Sequence, residues 1–202
     1  MECFKGQSAK KYQENKKFLL SFLDGLKQNQ AAQGAGSTQP IGVTMQISVA
    51  QQADIPELCR LLTILFTQEE DFRPDEAVQR RGLKLIIDDP QTGHILVARR
   101  EGAVIGMVNL LYTISTALGD RVALLEDMVV QPDARGGGTG SALLTQAIRF
   151  ARLQGCKRIT LLTDLNNEAG QRFYQRHGFT LSAMTPLRLL LSDAEPALAH
   201  SA

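Results

Sequence analysis

Val130-Gln131-Pro132-Asp133-Ala134-Arg135-Gly136-Gly137-Gly138-Thr139-Gly140-Ser141 is the stretch on which the reading of this chain turns. A nearly continuous apolar run, Val122 to Val130, leads into it and predicts a strand covered on both faces. A proline then turns the chain, and a glycine cluster opens a segment of helical spacing from about Gly138 to Gln154. Residues without a Cβ let backbone N–H groups converge and let a ligand approach them closely. Together with the dipole at a helix N-terminus, such donors suit a phosphate group, and Arg135 adds a full positive charge. Glycine inside a helix costs about 1 kcal/mol relative to alanine, a cost that a ligand-binding role offsets. A tight turn that binds nothing is the plainer alternative.

Spacing argues against two other phosphate-binding motifs. No lysine follows any of these glycines, as a G-x-x-x-x-G-K-[ST] loop requires. A G-x-G-x-x-G fingerprint started at Gly136 ends on Ser141, and one started at Gly138 ends on Leu143.

Outward from the loop, periodicity predicts a mixed α/β chain. Upstream, Gln46 to Ala50 alternates like a strand, and Asp54-Ile55-Pro56-Glu57 reads as a helix start with Asp54 as N-cap and Glu57 closing a capping box. Ile55, Leu58, Cys59, Leu62, Leu65 and Phe66 mark its core-facing stripe. A second helix is expected from Pro74 to Ile87, then strands from His94 to Arg99 and Val104 to Ser115 around a Glu101-Gly102 turn. Downstream, Arg158 to Thr163 predicts a strand and Asn167 to Arg176 a short helix, with closing strands at Phe179 to Ala183 and Leu187 to Leu191.

The strand–Val-x-Pro-x-x-Arg-Gly-x-Gly-x-Gly–helix arrangement closely resembles the acetyl-CoA pyrophosphate loop of the GNAT superfamily of N-acetyltransferases. Asn167-Glu168-Ala169-Gly170-Gln171-Arg172-Phe173-Tyr174-Gln175-Arg176-His177-Gly178-Phe179 resembles that superfamily's N-x-x-A-x-x-F-Y-x-x-x-G-F signature, with Gly170 where alanine is usual. The resemblance spans roughly residues 45–191. It implies a mixed, mostly antiparallel central sheet with flanking helices, the acyl-CoA N-acyltransferase fold, and acetyl-CoA as co-substrate. The strand before the loop and the strand after its helix would splay, and the pantetheine arm would meet the backbone of Met128, Val129 and Val130. Main-chain groups of Arg135, Gly136, Gly137, Gly138, Thr139, Gly140 and Ser141 would meet the pyrophosphate. Asn167 would contact the CoA arm, and Tyr174 would protonate the departing thiolate. Asn167 and Tyr174 stand close to two helical turns apart and share a face. An ordinary phenol, with a pKa of about 10, stays protonated at neutral pH. A core aromatic is the alternative for Tyr174, and a cap-region side chain is the reading preferred for His177.

Glu126 and Asp127 interrupt the apolar strand 122–130. Alternation predicts that they face opposite ways, unless a bulge intervenes. A buried carboxylate is costly unless it finds a partner or its pKa rises, and a raised pKa suits a general base. Glu126 is expected in that role, since many members of the superfamily place an acid on this strand; Asp127 is expected as a structural hydrogen-bonder or amine-binding group. Two satisfied structural acids remain the alternative. Glu69, Glu70 and Asp71, in the segment where the superfamily usually shapes its acceptor pocket, are a candidate lure for a cationic amine or simply a solvated helix end. Asn109 and Tyr112 are further candidates for the pocket wall.

The rest of the composition bounds the possibilities. The chain has 202 residues, 44% hydrophobic and 21% charged, with a net charge of +1. Nothing in this balance favours a nucleic-acid or membrane partner. Cys3, Cys59 and Cys156 have no metal-ligand spacing, so no metal site is expected, and a reducing cytoplasm is the simplest setting. Residues 1–44 read as an extension: a polar helix from Lys10 to Gln33, then a Gly34-to-Pro40 linker, ahead of a domain over 45–202. The expected activity is acetyl transfer from acetyl-CoA directly to a primary amine, with a homodimer possible. A non-catalytic acyl-CoA-binding module that docks a partner through its N-terminal helix is the competing reading.

Overall fold

A computed structural model of the chain describes residues 45–68 and 73–191. The chain divides into two compact units, one ending at Asp164 and the other beginning at Leu165. The helix expected over Lys10 to Gln33, its linker and the acids Glu69, Glu70 and Asp71 lie outside the described residues.

The first unit is built on one sheet of β1 (Met45–Val49), β2 (Gly93–Arg100), β3 (Ala103–Ser115), β4 (Asp120–Val130) and β5 (Ile159–Leu161), ordered β1-β2-β3-β4-β5. The first four strands run antiparallel, and β5 is parallel to β4. A parallel neighbour needs a crossover, and α3 (Thr139–Leu153) supplies it. The other α-helices among the described residues of this unit are α1 (Ile55–Phe66) and α2 (Glu76–Asp88).

One face of the sheet carries α1 and α2: Leu58, Leu62 and Leu83 join Ile95, Val97, Met107 and Val129 in a single buried cluster. Each such side chain contributes about 1.5–3 kcal/mol by leaving water. The other face carries α3, whose Leu143, Leu144, Ala147 and Phe150 are buried. His94, which alternates with Ile95, meets the Phe150 ring at 4.9 Å between centroids. The two-faced burial expected from the apolar run before the glycine loop is therefore present.

Local signals hold less evenly. Pro56 sits in the first turn of α1, yet Asp54 caps nothing there. Its carboxylate instead accepts from Gln51 N–H at 2.8 Å and binds Arg99 Nη2 at 2.6 Å, while Glu57 pairs with Arg60. Asp54 ends a 3-10 turn over Gln52–Asp54 and closes the capping box of that turn with Gln51, so its carboxylate serves the turn and Arg99 rather than the first N–H groups of α1. Asp75 caps α2 by accepting from Val78 N–H at 3.0 Å.

The second unit contains α4 (Glu168–Arg176). The strands expected at Phe179 to Ala183 and Leu187 to Leu191 do not form among the described residues. Leu187, Leu189, Leu190 and Leu191 are all more than four-fifths exposed. An apolar run becomes a strand only where a neighbour accepts its backbone groups, and these runs are rich in leucine rather than β-branched residues.

Candidate active site

Strands β4 and β5 pair only at Ala123, Leu124 and Leu125, opposite Ile159, Thr160 and Leu161. Beyond Leu125 the last five residues of β4, 126–130, have no register with β5. This is the splay expected between the strand before the glycine loop and the strand after its helix, and it exposes one edge of Met128, Val129 and Val130. Val129 is itself buried, and Met128 and Val130 are half-buried.

A bulge lies where the splay begins. The β3–β4 register runs Met107 to Val129 and then Asn109 to Glu126, so Asp127 and Met128 together oppose Val108. Asp127 has a φ of 49°, in the left-handed region that few non-glycine residues adopt. Its Oδ2 accepts a hydrogen bond from Nδ2 of Asn109 at 2.5 Å, and Asn109 is 1% exposed.

Glu126 is exposed, which corrects the expectation of a carboxylate buried in an apolar strand. The reason is positional: Glu126 alternates with the buried Leu125 and so points to the opposite face of the strand, where its side chain is left in solvent. Asp127 is the half-buried, hydrogen-bonded member of the pair, in line with its expected structural role.

After β4, Pro132 to Ala134 form one turn of 3-10 helix. Gly136 and Gly138 have φ values of 78° and 82°, conformations that alanine would adopt only under strain. Gly138 is the N-cap of α3, and among the described residues no atom beyond the immediate chain neighbours lies within 4 Å of where a Cβ would stand on Gly136, Gly137 or Gly138. Arg135 is exposed and its Nε donates to the carbonyl of Val130 at 2.9 Å, which holds the guanidinium at the end of β4. Ser141 is exposed and Gly140 half-buried, while Thr139 is buried. Any part Thr139 plays towards a ligand falls to its backbone, as expected of this loop.

In the second unit Asn167 is the N-cap of α4, its Oδ1 accepting from Gly170 N–H at 2.9 Å. Tyr174 is half-buried between the rings of Phe173 and Phe179, at 5.2 and 5.7 Å between centroids, and burial pushes its phenol above the ordinary value. His177 donates from Nδ1 to the Phe173 carbonyl at 2.9 Å, in the cap-region position expected for it.

Tyr112, a candidate for the pocket wall, is held by partners within the sheet. It lies opposite Ala123, within the stretch of β4 that β5 covers, and hydrogen-bonds Nδ1 of His94 at 3.1 Å beneath the Arg121 guanidinium. Among the described residues, no group of three or more His, Cys, Asp or Glu side chains is placed to hold a metal, and no helix is long and apolar enough to cross a membrane.

With a splayed strand pair, a bulged β4 and left-handed glycines at a helix mouth in place, likeness to known proteins decides the family. The profile of the acetyltransferase (GNAT) family matches residues 56–179. The chain belongs to that family. Among relatives of this GNAT acetyltransferase, an uncharacterized N-acetyltransferase of Bacillus subtilis (strain 168), YhfO, is 30% identical over 134 residues, 66% of this chain and 87% of the relative. The aminoalkylphosphonate N-acetyltransferase of Salmonella typhimurium (strain LT2) is 29% identical over 133 residues, 66% of this chain and 83% of that one. A solved aminoglycoside N-acetyltransferase, AAC(6')-Iy in complex with CoA, shares the fold at a TM-score of 0.64 and 18% identity, over 75% of this GNAT chain and 98% of that one.

Proposed function

We propose that this GNAT chain transfers the acetyl group of acetyl-CoA directly to a primary amine. The observation that carries the reading is the glycine mouth of α3: Gly136 and Gly138 are left-handed, have open space where a Cβ would stand among the described residues, and follow directly from the edge of β4 that β5 leaves uncovered. Backbone N–H groups of Arg135 to Ser141 and the dipole of a 15-residue helix suit the diphosphate of CoA. The uncovered edge at Met128, Val129 and Val130 suits the amide-bearing pantetheine arm. A solved structure of the same fold was obtained with CoA, which supports the donor.

In this reading the amine nitrogen attacks the thioester carbonyl carbon, the carbon–sulfur bond breaks, and the thiolate leaves with the electron pair. Glu126, exposed beside the uncovered edge, takes the proton from the incoming ammonium, directly or through water. Tyr174 gives a proton to the departing sulfur, a role carried by its place in the N-x-x-A-x-x-F-Y pattern and served by a phenol that burial keeps protonated. The second proton leaves the nitrogen as the amide forms and returns to the Tyr174 phenolate, so ammonium and acetyl-CoA yield amide, free CoA thiol and one proton, with no enzyme-bound acyl group.

The test is a panel of amines incubated with the full chain and acetyl-CoA under thiol detection, small aminoalkyl acids, polyamines and peptide N-termini included. Amine-dependent thiol release supports the reading; thiol release that no amine stimulates removes it.

A further inference from the structure

The β4 bulge is held by a residue that the glycine loop and the α4 signature do not include. Asn109 lies on β3, is 1% exposed, and donates from Nδ2 to Asp127. An ionised carboxylate only accepts, so it fixes the orientation of the amide and turns Asn109 Oδ1 away from Asp127. That oxygen is equally buried and has no hydrogen-bond partner among the described residues. Buried amides are ordinarily satisfied on both ends, so an Asn kept here on one hydrogen bond is poorly explained by packing. Asp127, at its other end, carries the left-handed φ on which the bulge turns. The bulge starts two residues past Leu125, the last residue that β5 pairs.

We infer that Asn109 is a positioning residue: through its hydrogen bond to Asp127 it holds β4 in the bulged shape that presents the 126–130 edge to acetyl-CoA. The carboxylate of Asp127 acts here on backbone shape, not on the reacting atoms. The inference rests on the acetyl-CoA reading above. Bulges bend and over-twist the strand that bears them, so releasing this one straightens β4 towards the path of β5 and closes the uncovered edge.

Four variants separate shape from charge. Asp127→Asn keeps an acceptor for Asn109 and a side chain that tolerates left-handed φ, but no charge. Asp127→Ala keeps neither acceptor nor tolerance. Asn109→Ala removes the clasp, and the Asn109→Ala, Asp127→Gly pair removes the clasp but lets glycine take the conformation without strain. Calorimetric Kd values for acetyl-CoA are expected to rise about tenfold in Asp127→Ala and Asn109→Ala, a factor worth about 1.4 kcal/mol. Asp127→Asn is expected within about twofold of the parent chain, and the double variant should recover most of the loss. Hydrogen exchange in the ligand-free chain provides a second readout: amides 126–129 should exchange faster in Asn109→Ala and return in the double variant.

An Asp127→Asn variant as weak as Asp127→Ala would overturn the inference, because charge would then matter and not shape. So would an Asn109→Ala chain with parental Kd and parental exchange. If Asn109→Ala fails to fold, the Asp127 series alone decides. If the parent chain binds no acetyl-CoA, the functional reading fails, while the exchange pattern still decides whether Asn109 holds the bulge.

Discussion

The carboxamide of Asn167 occupies the space that a Cβ on Gly170 would need: the added carbon would stand 2.5 Å from Nδ2 and 2.8 Å from Cγ. The glycine that departs from the usual alanine of the signature is thus what lets Asn167 fold over the first turn of α4 and cap it.

Gly170→Ala should therefore be close to neutral. The gain in helix propensity, about 1 kcal/mol, is offset by losing an Asn cap worth about the same. Asn167→Ala alone should cost about 1 kcal/mol, and should cost little in the Gly170→Ala background. A urea-denaturation double-mutant cycle measures the coupling; two additive single effects would refute the competition for space.

Stability should fall as the solution is acidified through the histidine range. Burial, helped by the Arg121 charge, pushes His94 from 6.5 down to about 4. Between those values the unfolded chain binds the proton and the folded chain does not, so this contribution is complete above about pH 6.5 and is lost as pH falls towards about 4. The full loss is on the order of 3 kcal/mol. Comparing His94→Gln with the parent chain across that window checks it: the variant should show a flatter slope, and parallel slopes would contradict the assignment.

Tyr174→Phe should lower kcat by about a hundredfold and leave the Kd for acetyl-CoA nearly unchanged, as expected for a group that acts only on the leaving thiolate. Because burial raises the phenol's pKa, Tyr174 should add no falling limb to the kcat profile below about pH 10. Pre-steady-state thiol release in parent and variant reads both, and equal turnover removes Tyr174 from the mechanism.

Most of the first unit was legible because its signals are local and agree with one another. The apolar run into Val130, the glycines after Pro132 and the stripe from Ile55 to Phe66 each specify an element within a few residues. What was not legible depended on partners far along the chain. Glu126 is exposed on the strand face opposite Leu125, and Asp54 serves Gln51 N–H and Arg99 in place of the α1 N-terminus. Tyr112 turns to His94 through pairings set by strand register. The runs at Phe179 and Leu187 look strand-like alone but carry no ladder among the described residues. At the site, residue types pointed to the glycine mouth and to the Glu126–Asp127 pair. An Asn in an apolar strand facing adjacent acids was the available sign of the clasp, but only the bulge shows which acid it holds.

The most direct trial is a calorimetric titration of the full chain with acetyl-CoA, repeated with Gly138→Val. Saturable binding in the parent chain, weakened at least about tenfold by a β-branched residue forced to a φ of 82°, is the expected result. A parent chain that shows no saturation at millimolar ligand, or a well-folded Gly138→Val chain that binds equally well, would contradict a diphosphate seat at the mouth of α3.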